Sequence, residues 1–371
     1  MLPFEHHKEA QNLLTEGRYD DLKKMVLKYV DQMDASSDSQ KALENVLSTL
    51  NAPIISANLD VWAKKCGLDG LPLIDALKTI FIRANELTFE EKIAATEKMA
   101  TGAPLMSVKQ IISDSHGSIK KVSSYYTDKK LCSFIMDKTR TMTDASLLRA
   151  PTNIGAGEVS FIVLGNLSKP KLGDLEVGGV GTVEVKTPGA GIAPKDMVHP
   201  SKVILDVAKN AKKITGIKDL KFPSDFKEAA ALMRVVNLKS SGKKSFALGD
   251  YFKENKYPIA GMKKLFDYAH EKIYKKKMNV SQFINNDYTI DYNKYGAYTF
   301  VEMFEAYKKQ TKFNTLMYYD YKTERMYCIS SRADAEKFYS QYGQVELNFG
   351  DKHGRDQKFG GKISSGKTVF V

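Results

Sequence analysis

A short stretch with alternating apolar and charged residues, GDLEVGGVGTVEVK at residues 173–186, contains closely spaced glycines at its centre. Alternation with a period of two predicts β-strands, and glycines between two such runs predict a hairpin turn. The apolar side chains of the two strands must share one buried face; they are Leu175, Val177, Val183 and Val185. This requirement constrains the fold because a slip of one residue would turn the charged side chains into the core.

The length of the turn decides which residues face each other across the hairpin. A two-residue turn would place the carboxylates of Asp174 and Glu184 on opposite faces of the sheet. A three-residue turn at residues 178–180 instead pairs Val177 with Gly181, and the same register brings Asp174 opposite Glu184. Glycine readily supplies the positive φ that such a turn needs. Because only this register keeps the apolar side chains on a common face, the sequence predicts the three-residue turn.

Two carboxylates brought together in this way repel each other unless a cation lies between them. Mg²⁺ prefers hard oxygen ligands and commonly takes one or two carboxylates together with water or phosphate oxygens. Lys186 lies two residues after Glu184 and therefore on the same face of its strand. The residues thus predict a metal site for phosphodiester hydrolysis. The alternative is a solvated hairpin that carries an ordinary Glu–Lys pair.

The pattern GDLEV-x5-VEVK resembles the core motif of the PD-(D/E)XK, or restriction-endonuclease-like, nuclease superfamily. That motif places an acidic residue on one strand and Glu-x-Lys on the next. The upstream stretch IGAGEVSFIVLG is similar to the helix that many members place before the hairpin, with a glutamate turned toward the metal ions. The combination of this helix with a glycine-turn hairpin is also similar to proteins of large tailed bacteriophages.

The resemblance implies a role for each matching residue. Asp174 and Glu184 would be metal ligands, with the carbonyl of Val185 as a third, and Lys186 would be the catalytic lysine. Glu158 would be the helix glutamate and a further catalytic residue. The cofactor would be Mg²⁺, with Mn²⁺ as the alternative cation, and the substrate would be DNA.

The rest of the chain predicts an all-helical N-terminal domain at residues 1–145, an accessory or assembly domain, followed by a nuclease-like domain at 146–371. The stretch EVSFIVLG fits a buried helix or a strand equally well. The sequence predicts helices at residues 201–214 and 226–238, and a helical insertion at about residues 222–312. Strands are expected at residues 313–320, 326–330 and 344–349, and they would join the hairpin in one mixed sheet flanked by helices. The predicted fold class is α+β or α/β.

The net charge of +12 is unevenly distributed along the chain. Residues 1–150 hold 20 basic and 20 acidic side chains, so the whole surplus lies in residues 151–371. A basic surplus in one domain is typical of proteins that bind a phosphate backbone. Within the glycine-rich stretch DKHGRDQKFGGK, we expect a loop that grips DNA through Lys352, His353, Arg355 and Lys358. A disordered basic tail is the alternative for this stretch.

Several other classes of function are not expected. The sequence contains no apolar run of the ~18 residues that a membrane span needs, and its first residues do not have the pattern of a secretory signal. The three cysteines are far apart and fit a reducing compartment, which predicts a cytoplasmic location. For a phage-encoded protein, that location would be the host cytoplasm or the virion. Residues 361–368 match the phosphate-loop pattern, but only three residues follow, too few for the helix that binds phosphates. We therefore expect neither a membrane partner nor a nucleotide cofactor.

Three functions remain open at this stage. The first is a Mg²⁺-dependent deoxyribonuclease. The second is a phage virion or assembly protein that keeps a nuclease-like fold and contacts other assembly proteins through its N-terminal helices. The third is a DNA-binding module without catalysis.

Overall fold

A computed structural model describes residues 37–84, 86–144, 155–170, 173–186, 192, 197–198, 200–238, 241–320, 323–347 and 357–361, together with residues 9, 12, 21 and 24. The protein is an α+β protein. Its chain divides into two compact units. The first comprises residues 1–108 and 123–170, and the second comprises residues 109–122 and 171–371.

The described part of the first unit is mainly helical. Its helices are α1 (Ser37–Cys66), α2 (Pro72–Arg83), α3 (Phe89–Thr101), α5 (Lys129–Asp144) and α6 (Ala156–Gly165); α4 (Val108–Ser115) begins at its boundary with the second unit. Helix α3 begins with a capping box at Thr88. The Thr88 hydroxyl accepts the N–H of Glu91, and the Glu91 carboxylate accepts the N–H of Thr88. This exchange satisfies two backbone donors that an α-helix leaves unpaired at its first turn.

Helix α6 is the stretch that could have been a helix or a strand. It is apolar on nearly all sides because it is surrounded by protein: Val159, Phe161, Ile162 and Leu164 are fully buried. The carbonyl of Leu164 accepts the backbone N–H groups of Leu105 and Met106, which ties the end of the helix into the first unit. The structure thus groups α6 with the first unit, whereas the sequence analysis had placed residues 146–371 together.

A five-stranded mixed sheet forms one part of the second unit. Its strands are β1 (Lys120–Lys121), β2 (Leu175–Val177), β3 (Gly181–Lys186), β6 (Thr315–Asp320) and β7 (Arg325–Ile329). Their order in the sheet is β1-β7-β6-β3-β2. Strands β3 and β6 pair in parallel, and the other neighbours pair antiparallel.

The predicted hairpin is present as β2 and β3. Val177 pairs with Gly181, and the turn at residues 178–180 is closed by a 2.9 Å bond from the N–H of Val180 to the carbonyl of Val177. Gly179 and Gly181 have φ values of 76° and 90°, which glycine adopts without strain. The predicted apolar face is buried: Leu175, Val177, Val183 and Val185 are each at most 6% exposed. The three-residue turn is therefore confirmed.

The remaining elements of the second unit differ in part from the prediction. Its helices are α7 (Pro200–Thr215), α8 (Phe226–Met233), α9 (Ala247–Glu254), α10 (Ile259–Tyr274), α11 (Tyr292–Thr311) and α12 (Arg332–Tyr342). A second sheet, of order β5-β4-β8-β9, contains β4 (Val235–Leu238), β5 (Lys243–Phe246), β8 (Gly343–Leu347) and β9 (Gln357–Gly361).

Two predictions about this region were wrong. The helix expected at residues 226–238 ends at Met233, because the following stretch, with Val235 and Val236, pairs with β5 and β8. The region predicted as a helical insertion, at about residues 222–312, therefore also contains two strands. The strand expected at residues 344–349 lies in the second sheet rather than beside the hairpin, because its partner is β4.

None of the helices in these described ranges combines the length and the apolar character that crossing a membrane requires.

Candidate functional site

Strand β3 carries the two charged residues of the Glu-x-Lys motif on one face. The parallel register pairs Glu184 with Leu316 and Lys186 with Tyr318, so these four side chains share a face of the sheet. Leu316 and Tyr318 belong to the main apolar core of the second unit. The two charged side chains thus lie on the core-facing side of β3, which explains why Glu184 is only 6% exposed.

Asp174 lies just before β2 and reaches across to β3 with its side chain. Its Oδ2 accepts the N–H of Val185 at 2.7 Å, while its own N–H donates to the carbonyl of Val183 at 3.0 Å. The described ladder ends one residue later, where Leu175 pairs with Val183. The expected pairing of Asp174 with Glu184 is therefore absent from the ladder. The Asp174 carboxylate instead bonds to the peptide that joins Glu184 to Val185.

Gly173 allows the chain to enter this arrangement. Its φ is 83°, and a Cβ at this position would lie 2.3 Å from Cγ2 of Thr182. Any larger residue would force either the Thr182 side chain or the chain next to Asp174 to shift. The close approach of Thr182 therefore explains why a glycine precedes Asp174.

Glu184 and Lys186 form a direct ion pair, with Nζ of Lys186 at 2.5 Å from Oε1 of Glu184. Their side chains are 8% and 16% exposed, respectively. Burial alone would lower the pKa of Lys186, but the attraction and hydrogen bond of the Glu184 carboxylate, together with the contacts of Tyr307, outweigh it and raise that pKa above the ordinary lysine value. Lys186 is therefore a fully charged ammonium at neutral pH.

Tyr307 on α11 completes this cluster, and the sequence analysis missed it. Its hydroxyl donates a hydrogen bond to the same Oε1 of Glu184, and Nζ of Lys186 lies 5.3 Å from the centroid of its ring. Burial raises the pKa of Tyr307 to about 12, so the phenol stays protonated and remains a donor. A tyrosine in an amphipathic helix looks like any core residue, so the sequence holds no signal that would single it out.

The other predicted site residues lie elsewhere or outside the described residues. Glu158 is in the first turn of α6, which belongs to the first unit, whereas Asp174, Glu184 and Lys186 belong to the second. The predicted DNA-contacting residues Lys352, His353 and Arg355 lie outside the described residues, and Lys358 lies in β9, where only the backbone is described.

The oxygen atoms around β3 are of the kind that Mg²⁺ prefers. Both hydrogen bonds made by Glu184 go to Oε1, and within the described ranges no group donates to its Oε2. The backbone N–H and C=O of a strand residue point toward the same neighbouring strand. Because the N–H of Val185 bonds to Asp174, the carbonyl of Val185 also points toward Asp174. Two carboxylates and one carbonyl fit the donor chemistry of Mg²⁺. Among the described residues there is no cluster of three or more His, Cys, Asp or Glu side chains arranged for a metal ion.

Comparison of the chain with family models, with curated proteins and with solved structures finds no match in any of the three. The functional argument therefore rests on the chemistry of the residues around β3.

Proposed function

We propose that the protein is a metal-dependent nuclease that hydrolyses phosphodiester bonds of DNA at the site formed by Asp174, Glu184 and Lys186. One observation carries the proposal. The hairpin brings the carboxylate of Asp174 to the peptide between Glu184 and Val185, next to a charged lysine on the same strand. These groups are the ones that an acidic residue followed by Glu-x-Lys contributes in the nuclease motif that the sequence resembles.

Each residue has a distinct task in this proposal. Asp174, Glu184 and the carbonyl of Val185 would hold Mg²⁺ or Mn²⁺, with Oε2 of Glu184 as the oxygen that is open to the cation. When bound, the cation stabilises negative charge on the phosphate and lowers the pKa of a bound water. Lys186 supplies a fixed positive charge to orient the attacking water and to offset the negative charge that grows on the phosphate. Glu158 keeps its proposed role from the resemblance alone.

The charge of the chain supports DNA as the substrate. The surplus of +12 lies wholly in residues 151–371, the part that carries the hairpin. Attraction of a basic surface for the phosphate backbone is independent of sequence and weakens as salt rises. We therefore propose that cleavage has a strong salt dependence, with Lys352, His353, Arg355 and Lys358 as contacts to the backbone.

The test is a cleavage assay on supercoiled plasmid, linear duplex and single-stranded DNA with Mg²⁺ or Mn²⁺. We expect Asp174→Asn and Lys186→Met each to lower the rate by ~100-fold or more, because the first weakens a metal ligand and the second removes the positive charge that acts on the reacting phosphate. Glu176→Gln is the matched control. Glu176 is an exposed carboxylate on the same hairpin, and its described hydrogen bond comes from the Thr182 hydroxyl rather than from Lys186. This variant should cleave at the wild-type rate.

The enzyme proposal fails if the wild type cleaves none of these DNA forms with either cation and binds neither cation. It also fails if Lys186→Met and Glu176→Gln cleave equally fast.

A second candidate is a nuclease-like module without catalysis, either a DNA-binding module or a virion assembly protein. The observation that favours it is the closed contact between Glu184, Lys186 and Tyr307, in which the two charges already neutralise each other. In that case Asp174→Asn and Lys186→Met would change the stability of the second unit and leave DNA binding as it is. The absence of cleavage by the wild type separates this outcome from the first, and a filter-binding assay at several salt concentrations then separates a DNA-binding module from an assembly protein.

A further inference from the structure

Two donors from different elements converge on one oxygen of Glu184. Lys186 approaches Oε1 from two residues along β3, and Tyr307 approaches it from α11, which is more than one hundred residues away in sequence. The ring of Tyr307 also lies against the ammonium group of Lys186. Tyr307 therefore contacts two of the three charged residues of the site, Glu184 and Lys186.

We propose that Tyr307 is a positioning residue, which holds Oε1 of Glu184 so that Oε2 is presented to the metal ion. This inference rests on the proposed function. The hydroxyl fixes the rotation of the carboxylate, and the aromatic ring limits the positions that the Lys186 ammonium can adopt. Without the hydroxyl, Lys186 is the one donor to the carboxylate that remains among the described residues, and the carboxylate is free to turn Oε2 away.

Tyr307 is itself held firmly, as a positioning residue must be. Its ring packs against Phe313 at a centroid distance of 5.7 Å, and Phe313 in turn packs against Phe304 of α11. Its backbone carbonyl accepts the hydroxyl of Thr311 at 2.7 Å. Helix α11, which lies within the predicted helical insertion, thus contributes a residue to the proposed site.

The test measures metal binding directly and uses no DNA. Mn²⁺ is titrated into the full chain, and the free ion is followed by electron paramagnetic resonance. We expect Tyr307→Phe to weaken Mn²⁺ binding about 10-fold, the lower end of what loss of a partner that orients a metal ligand costs. Tyr307→Met, which also removes the ring, should weaken it at least as much.

Tyr298→Phe is the matched control. Tyr298 lies on the same helix and packs against Phe283, and no hydrogen bond joins its hydroxyl to another described residue. Removing the Tyr298 hydroxyl should leave the affinity for Mn²⁺ unchanged. Circular dichroism and the melting temperature without metal show whether each variant is folded.

The outcomes separate the two proposals. Wild-type affinity in folded Tyr307→Phe and Tyr307→Met, with normal binding by the wild type, overturns the role of Tyr307 and leaves the nuclease proposal intact. Equal weakening in Tyr298→Phe also overturns it, because the effect would then belong to α11 as a whole. If the wild type binds no Mn²⁺ and cleaves no DNA, both proposals fall together.

Discussion

Replacing Glu184 with glutamine should destabilise the second unit, because it leaves the charge of Lys186 without a partner. Glutamine has nearly the same shape as glutamate, so packing around β3 changes little. The hydroxyl of Tyr307 can still donate to the side-chain oxygen. The one large change is therefore that a lysine ammonium whose side chain is 16% exposed loses the carboxylate at 2.5 Å.

The size of the effect follows from the burial of the pair. At 2.5 Å, the gross attraction is about 7 kcal/mol with an effective dielectric constant of about 20, and much of it is offset by the cost of removing both charges from water. Breaking a buried pair on one side costs about 3–5 kcal/mol. Because Lys186 keeps some contact with solvent, we expect about 3 kcal/mol for Glu184→Gln. The double variant Glu184→Gln with Lys186→Met removes both charges and should be within about 1 kcal/mol of the wild type.

The assay is urea unfolding followed by two signals. Trp62 is the only tryptophan and is buried in the first unit, so its fluorescence reports that unit, while far-UV circular dichroism also reports the second. We expect Glu184→Gln to lower the circular dichroism midpoint and the double variant to restore most of the loss. The reasoning is refuted if Glu184→Gln costs less than about 0.5 kcal/mol, or if the double variant is less stable than Glu184→Gln alone.

Three further predictions concern stability. His270 is fully buried, and burial lowers its pKa to about 4, so between about pH 6.5 and pH 4 the unfolded chain binds a proton that the folded chain does not. The free energy of unfolding in urea should therefore fall by about 2 kcal/mol from pH 7 to pH 5, and that of a His270→Gln variant should fall correspondingly less. Gly173→Ala should cost about 1–3 kcal/mol in urea unfolding followed by circular dichroism, because alanine at a φ of 83° is strained and its Cβ would collide with Thr182; a cost near zero would contradict the described hairpin entry. Thr88→Ala should cost about 1 kcal/mol by Trp62 fluorescence, because it removes the capping box of α3, and Thr88→Ser should restore most of that loss.

The hairpin could be predicted from sequence because its information is local. The alternation of Leu175, Val177, Val183 and Val185 with charged residues sets both faces, and the shared apolar face then sets the length of the turn. The same logic extends one step too far at Asp174. The N–H of Asp174 bonds to the carbonyl of Val183, and the described ladder ends at Leu175. The pattern of apolar residues holds no information about where this ladder ends.

The second sheet and Tyr307 could not be predicted because their partners are distant in sequence. Val235 and Val236 follow a helix and continue its apolar pattern, and the strand that they form pairs with the nearby β5 and with β8, which lies more than one hundred residues later. Tyr307 becomes a site residue only because α11 packs near β3. Contacts of this kind depend on tertiary structure and produce no periodic pattern in the sequence.

The burial of Glu184 and Lys186 is itself an argument about function. A buried ion pair can often be replaced by apolar residues of similar volume with equal or greater stability, because the desolvation of two charges consumes much of their attraction. The neighbours on this face of the sheet, Leu316 and Tyr318, belong to a core that would accept such residues. Stability alone therefore gives no reason to keep two charges at this end of β3. A site that must present a carboxylate and an ammonium in fixed positions does give one, and this supports the proposed nuclease over a hairpin with a merely structural ion pair.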